Sequence, residues 1–115
     1  MESNEGVDVQ VTISFRHMDV TPALHDYAEQ KANKLIKYYD RIEDIQVVFD
    51  AGKGTMQVEM KVLAEHKNTF LAHCQDGDAY ACVDGCHAKL ERQLSEHKAK
   101  LRNRKHSGDE KLSSI

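Results

Sequence analysis

The stretch Val7-Asp8-Val9-Gln10-Val11-Thr12-Ile13-Ser14-Phe15-Arg16, followed after a short joint by Thr21-Pro22-Ala23-Leu24, decides the architecture. Apolar and polar residues alternate through the first segment, which is the period of a half-buried strand with one wet face. Thr21-Pro22 then reads as a helix start. Thr21 stands as N-cap and Pro22 at the first helical position, where its missing N–H costs nothing. Apolar residues recur at Leu24, Tyr27, Ala28, Ala32, Leu35, Tyr38, Tyr39 and Ile42, a helical stripe that predicts a helix to about Arg41. A strand feeding a helix that returns to a second strand (Ile45, Val47, Phe49) makes a parallel pair.

The remainder continues the pattern. Ala51-Gly52-Lys53-Gly54 is a hairpin turn, and Met56, Val58, Met60 and Val62 alternate with polar residues in a third strand. A polar joint, Glu65-His66-Lys67-Asn68, precedes a fourth strand from about Thr69 to Cys74. Asp76 or Asp78 then caps a long helix with an inward face of Ala79, Tyr80, Val83, Cys86, His87, Leu90, Leu94, His97 and Leu101. The order β-α-β-β-β-α predicts an α+β two-layer sandwich, a four-stranded sheet with both helices on one face. One domain is expected over residues 7–105, with a disordered N-terminus at 1–6 and, lacking periodicity, a flexible tail at 106–115.

Composition narrows the function classes. No apolar run approaches the ~20 residues of a membrane span, and the acidic start Met1-Glu2-Ser3-Asn4-Glu5 is unlike a signal peptide. Three cysteines without framework spacing fit reduced thiols, so a cytoplasmic protein with no membrane partner is expected. The formal net charge is −3, yet seven cations face two carboxylates between Lys89 and Lys105. Such segregation is the electrostatic footprint of a polyanion binder; a merely solubilising helix is the plainer alternative. On the first helix Lys34, Lys37 and Arg41 flank one edge of the apolar stripe with Lys31 at its boundary, while Asp26, Glu29 and Asp40 fall on another side. On the last, Lys89 and Lys100 share a side close to Arg92. If the helices lie side by side, the two basic edges merge into one groove-like stripe.

The residues Thr21-Pro22-Ala23-Leu24, Tyr27-Ala28-Glu29-Gln30-Lys31, Lys34-Leu35, Tyr38-Tyr39-Asp40, Asp78-Ala79-Tyr80-Ala81-Cys82-Val83-Asp84 and Lys89-Leu90-Glu91-Arg92-Gln93-Leu94 together resemble a known family, the ribosome hibernation-promoting factors and ribosome-associated translation inhibitors. The resemblance spans about residues 7–105. It implies the same β-α-β-β-β-α fold, similar in architecture to double-stranded-RNA-binding domains, which read RNA by shape and backbone. It also implies a translation inhibitor that occupies the mRNA and tRNA channel of the small ribosomal subunit under stress or in stationary phase. Carried over by position, rRNA binding falls on Lys31, Lys34, Lys37 and Arg41 of the first helix and on Lys89, Arg92, Lys98 and Lys100 of the last. Asp78 and Tyr80 are expected to be structural, Asp78 complementing the helix dipole and Tyr80 pointing toward the sheet. A monomer when free is expected. Long-form members of the family carry a C-terminal ribosome-dimerisation domain, and none is expected in this chain of 115 residues. Gly85 departs from the family pattern and should cost ~1 kcal/mol relative to Ala within a helix.

Other chemistry fits less well. Cys82 and Cys86, with His87 and the upstream His73-Cys74, could supply metal ligands, but C-x₃-C with one distant pair is a weak zinc signature and buried thiols are expected. Gly52-Lys53-Gly54-Thr55 is superficially similar to a phosphate loop, yet it lacks the upstream glycine and joins two strands. No catalytic spacing stands out, so no catalytic, metal or cofactor site is expected. Two further readings stay open: an RNA-binding module with another target, and an interaction domain whose acidic N-terminal segment and helix edge meet a basic partner.

Overall fold

The computed structural model describes the backbone of residues 9–113 and the side chains of residues 9–102. Expectations for residues 1–6, and for Val7 as the start of a strand, lie outside the described residues. The elements are β1 (Gln10–Arg16), α1 (Pro22–Tyr38), β2 (Ile42–Ala51), β3 (Met56–Ala64), β4 (Asn68–Asp76) and α2 (Ala79–Ser113). They form one sheet in the order β1-β2-β3-β4, with β1 parallel to β2 and the other neighbours antiparallel.

Strand alternation gives the sheet two unlike faces. Ile45, Val47, Phe49, Val58, Met60 and Val62 are buried, and the intervening Gln46, Gln57, Glu59 and Lys61 are exposed. Both helices cover the apolar face: α1 packs on β1 and β2, α2 on β3 and β4, and the helices pack on each other. From α1 the core takes Leu24, Ala28, Ala32 and Leu35; from α2 it takes Cys82, Val83, Cys86, Leu90 and Leu94. Phe15 stacks on Phe49 with ring centroids 4.8 Å apart, which ties the edge strand β1 to the core. No helix among the described residues is long and apolar enough to cross a membrane.

Several local expectations change. Thr21 is the N-cap residue, but its hydroxyl makes no capping bond and points instead to the Asp19 carbonyl at 3.4 Å. The helix α1 stops at Tyr38: Tyr39 is already extended, its N–H still bonded to the Leu35 carbonyl, and Arg41 sits in the joint rather than on the helix. Ile42 begins β2. A register shift between Ile42 and Asp44 lets Ile42 and Ile45 face the core together, and that odd spacing mimics a helical period. Asp78 is the cap of α2, accepting the Tyr80 N–H at 2.9 Å, while Asp76 accepts the Asp78 N–H. The backbone is helical through Ser113, and residues 114–115 of the expected tail lie outside the described residues. Periodicity reports a buried face; its absence does not by itself end a helix.

The β3–β4 hairpin turns through Glu65–Lys67, with His66 and Lys67 both left-handed at φ 61° and 60°. Two consecutive positive-φ residues are the requirement of a tight hairpin turn that Asn-Gly meets without steric cost. Replacing His66 by Asn and Lys67 by Gly should therefore raise stability by about 1 kcal/mol. A shift of the urea midpoint to higher concentration at unchanged slope is the expected result; an unchanged or lower midpoint counts against strain at this tip.

Candidate nucleic-acid interface

Each of the eight cations singled out from the sequence has a definite place. Lys31 lies between the helices, its ammonium 3.4 Å from Asp84 and over the Tyr27 ring. Tyr27 donates to the same Asp84 carboxylate at 2.6 Å and meets Tyr80 edge to face. Tyr80 thus belongs to the α1–α2 seam and is partly exposed, rather than pointing toward the sheet. The Tyr27 hydrogen bond, aided by Lys31, holds the Asp84 carboxyl below its usual range, and raises the Tyr27 phenol in turn. His87 lies nearby, its pKa lowered by burial and by Lys31 and Lys34, with Glu91 and Asp84 opposing. Lys31 is therefore largely a seam residue, half-buried and paired.

Lys89 and Lys98 are about two and a half turns apart on α2 and so emerge on opposite sides of it. The Lys89 ammonium donates to the His73 carbonyl of β4 at 2.8 Å, and the Gln93 amide donates to the Leu71 carbonyl at 2.9 Å. These are outward carbonyls of an edge strand, so the two side chains cover the open side of β4. Lys98 donates to the Tyr38 carbonyl at 3.1 Å, satisfying a C-terminal carbonyl of α1, and lies 4.3 Å from the centre of the Tyr38 ring. Arg41 donates to Glu65 at 2.6 Å, and that bond raises the guanidinium pKa further. Lys34, Lys37, Arg92 and Lys100 are exposed and form no ion pair with any described residue.

Lys89 reaches over β4, away from the cations of α1. The cations that do meet lie where the end of α1 crosses α2. Lys37, Tyr38, Tyr39, Asp40 and Arg41 line one wall of a cleft of about 770 Å³, and Lys98, Leu101 and Arg102 line the other. Four cations against one carboxylate make it a basic concavity on a chain of net charge −3. Arg102 is a cation of this cleft that stands outside the eight; its position one turn beyond Lys98 on the same face is the signal that could have found it. Tyr39 is buried beside this cleft, against the His97 ring, and burial raises its phenol pKa.

The Cys74 and Cys82 thiols interact with each other, but among the described residues no Cys and His ligand atoms converge as a set of three. His73 and Cys74 are neighbours on β4 and so point to opposite faces of the sheet. The Cys82 thiol donates to the Met56 carbonyl and the Cys86 thiol to the Val58 carbonyl, and burial pushes their pKa values up to about 11 and about 12. Among the described residues, the group whose ligand atoms do approach one another is His25, Asp26 and Glu29, exposed or half-exposed on α1.

Both the sequence and the fold are similar to those of known proteins. The model of the family described as Sigma 54 modulation protein / S30EA ribosomal protein matches residues 11–102. A ribosome hibernation promoting factor of Azotobacter vinelandii is 37% identical over 92 residues, covering 80% of this chain and 85% of that protein. Its counterpart in Klebsiella oxytoca is 34% identical over 94 residues, covering 82% of this chain and 98% of that protein. Among solved structures, a ribosomal subunit interface protein from Coxiella burnetii superposes with a TM-score of 0.72 at 30% identity, over 78% of this chain and 98% of its own. The N-terminal domain of Thermus thermophilus Protein Y gives 0.68 at 26% identity, over 75% and 94%.

Proposed function

The chain belongs to the Sigma 54 modulation protein / S30EA ribosomal protein family, and on that premise we propose that it is a ribosome hibernation factor that binds the small subunit through its rRNA. It acts by occupancy, as a binding protein and not an enzyme, filling the mRNA and tRNA channel so that initiation stops. The observation that carries this reading is the concentration of cations at the α1–α2 crossing and along the outer side of α2, on a chain whose net charge is −3. A negatively charged protein needs a local reason to approach a polyanion, and a cleft with four cations supplies it. Lys34, Lys37, Arg92 and Lys100 are the free phosphate contacts; Arg41 and Lys98 add charge while bracing the joint. Lys89 and Gln93 support a monomer in the free state, since they occupy two outward carbonyls in the middle of the β4 edge, those of His73 and Leu71.

The test is co-sedimentation with isolated small subunits over a salt series, paired with an initiation assay. Binding should fall steeply and linearly on a log–log plot as salt rises, and initiation should be blocked in proportion to occupancy. Absence from the small-subunit pellet at low salt, or salt-independent binding, would overturn the reading.

A further inference from the structure

The cleft at the α1–α2 crossing has a shape that a duplex backbone does not need. An A-form helix presents phosphates and 2′-hydroxyls along a broad surface, and proteins read it across an extended face. Here the basic groups line a concavity of about 770 Å³, a size typical of small-molecule sites. Both walls mix charged groups, Asp40 among them, with apolar ones. Lys37, Arg41 and Arg102 supply cationic donors, and Arg41, with one N–H committed to Glu65, keeps others of its five. Tyr38 and Leu101, both half-buried, supply an aromatic and an aliphatic surface. Lys98 bonds the Tyr38 carbonyl and rests over one face of its ring, which holds the ring in place. A bare phosphate would use only the cations, and an apolar ligand only Tyr38 and Leu101.

We propose that this cleft is a single-nucleotide site, holding the phosphate on Lys37, Arg41 and Arg102 and the base against Tyr38 and Leu101. The nucleotide is either free or an unpaired residue splayed from an RNA strand; stacking on a side chain is how unpaired bases are commonly held. The site deepens the ribosome-binding reading, and rests on it only for the source of the nucleotide.

The experiment titrates isotope-labelled full chain with inorganic phosphate, adenosine 5′-monophosphate, a ~12-nucleotide single-stranded RNA and the same RNA annealed to its complement. Amide shifts should centre on residues 37–41 and 98–102. Adenosine 5′-monophosphate should bind roughly tenfold more tightly than phosphate, and the single strand roughly tenfold more tightly than the duplex. Arg102→Gln and Leu101→Ala should each weaken both by severalfold. Single-stranded RNA binding more tightly than the mononucleotide assigns the site to an RNA residue, and equal binding assigns it to a free nucleotide; either supports the site. Shifts centred elsewhere, or no preference over phosphate and duplex, overturn it. Arg102→Gln is also sedimented with small subunits. A parent protein that pellets with subunits yet binds neither nucleotide nor single strand overturns this site and leaves the ribosome reading intact. Nucleotide binding without pelleting does the reverse.

Discussion

Replacing Lys34, Lys37 and Lys100 together by Gln should lower affinity for the small subunit by on the order of a hundredfold at ~0.1 M salt, with stability unchanged. All three are exposed, and none forms an ion pair with a described residue, so the substitutions break no internal bond. Exposed substitutions of this kind usually move stability by less than ~0.5 kcal/mol each. The slope of log affinity against log salt should shrink by roughly 0.7–0.9 for each phosphate that is no longer neutralised. Lys89→Gln is the informative contrast. Its ammonium is committed to the His73 carbonyl, so the substitution should cost about 1 kcal/mol of stability and leave affinity close to the parent value. Co-sedimentation across salt and urea denaturation measure the two effects separately. A triple variant with the parent's salt slope, or a Lys89 variant that binds as weakly as the triple, would show that the cations have been sorted wrongly.

That sorting marks where sequence reading stops. Alternation in Val11, Ile13 and Phe15, and in Val58, Met60 and Val62, is enough to place β1 and β3, because a period of two has a single meaning on a sheet with one wet face. Leu24, Ala28, Ala32 and Leu35 place the inner face of α1 in the same way. Ile42 misleads because a bulge substitutes a spacing of three for one of two, and three is also a helical spacing. Periodicity tells whether a side chain faces in or out, but not which neighbour lies beside an outward edge. Lys89 and Lys98 look equivalent in sequence; only the placement of β4 on one side of α2 and the end of α1 on the other makes one an edge cover and the other a brace. Arg102 joins the cleft for the same reason, since its partners Lys37 and Arg41 are distant in the chain and the crossing of the helices brings them together. Tyr80 goes to the seam because Tyr27 and Asp84 form a polar cluster there, which an apolar-stripe argument counts only as bulk.

Gly85→Ala should destabilise the parent protein even though Ala is the better helix former, and should stabilise a Cys74→Ala background. A Cβ built at Gly85 would stand 2.9 Å from the Cys74 Sγ and 3.8 Å from its Cβ. An approach of 2.9 Å is shorter than carbon and sulfur tolerate, and Cys74 has only one side-chain torsion with which to yield. The opposing term is helix propensity, which favours Ala by about 1 kcal/mol in a helix interior. Overpacking of this kind costs roughly 1–3 kcal/mol, so the clash should win where the sulfur is present. With Cys74 shortened to Ala the clash disappears and only the propensity gain remains. The two positions should therefore show a coupling of about 1–3 kcal/mol in a double-mutant cycle read by urea denaturation. The glycine that looks like a helix defect is then the space that lets α2 lie closely on β4, and the thiol at 74 is the group that occupies it. Additive effects of the two substitutions, or a stabilising Gly85→Ala in the parent, would show that α2 and β4 are not held at this distance.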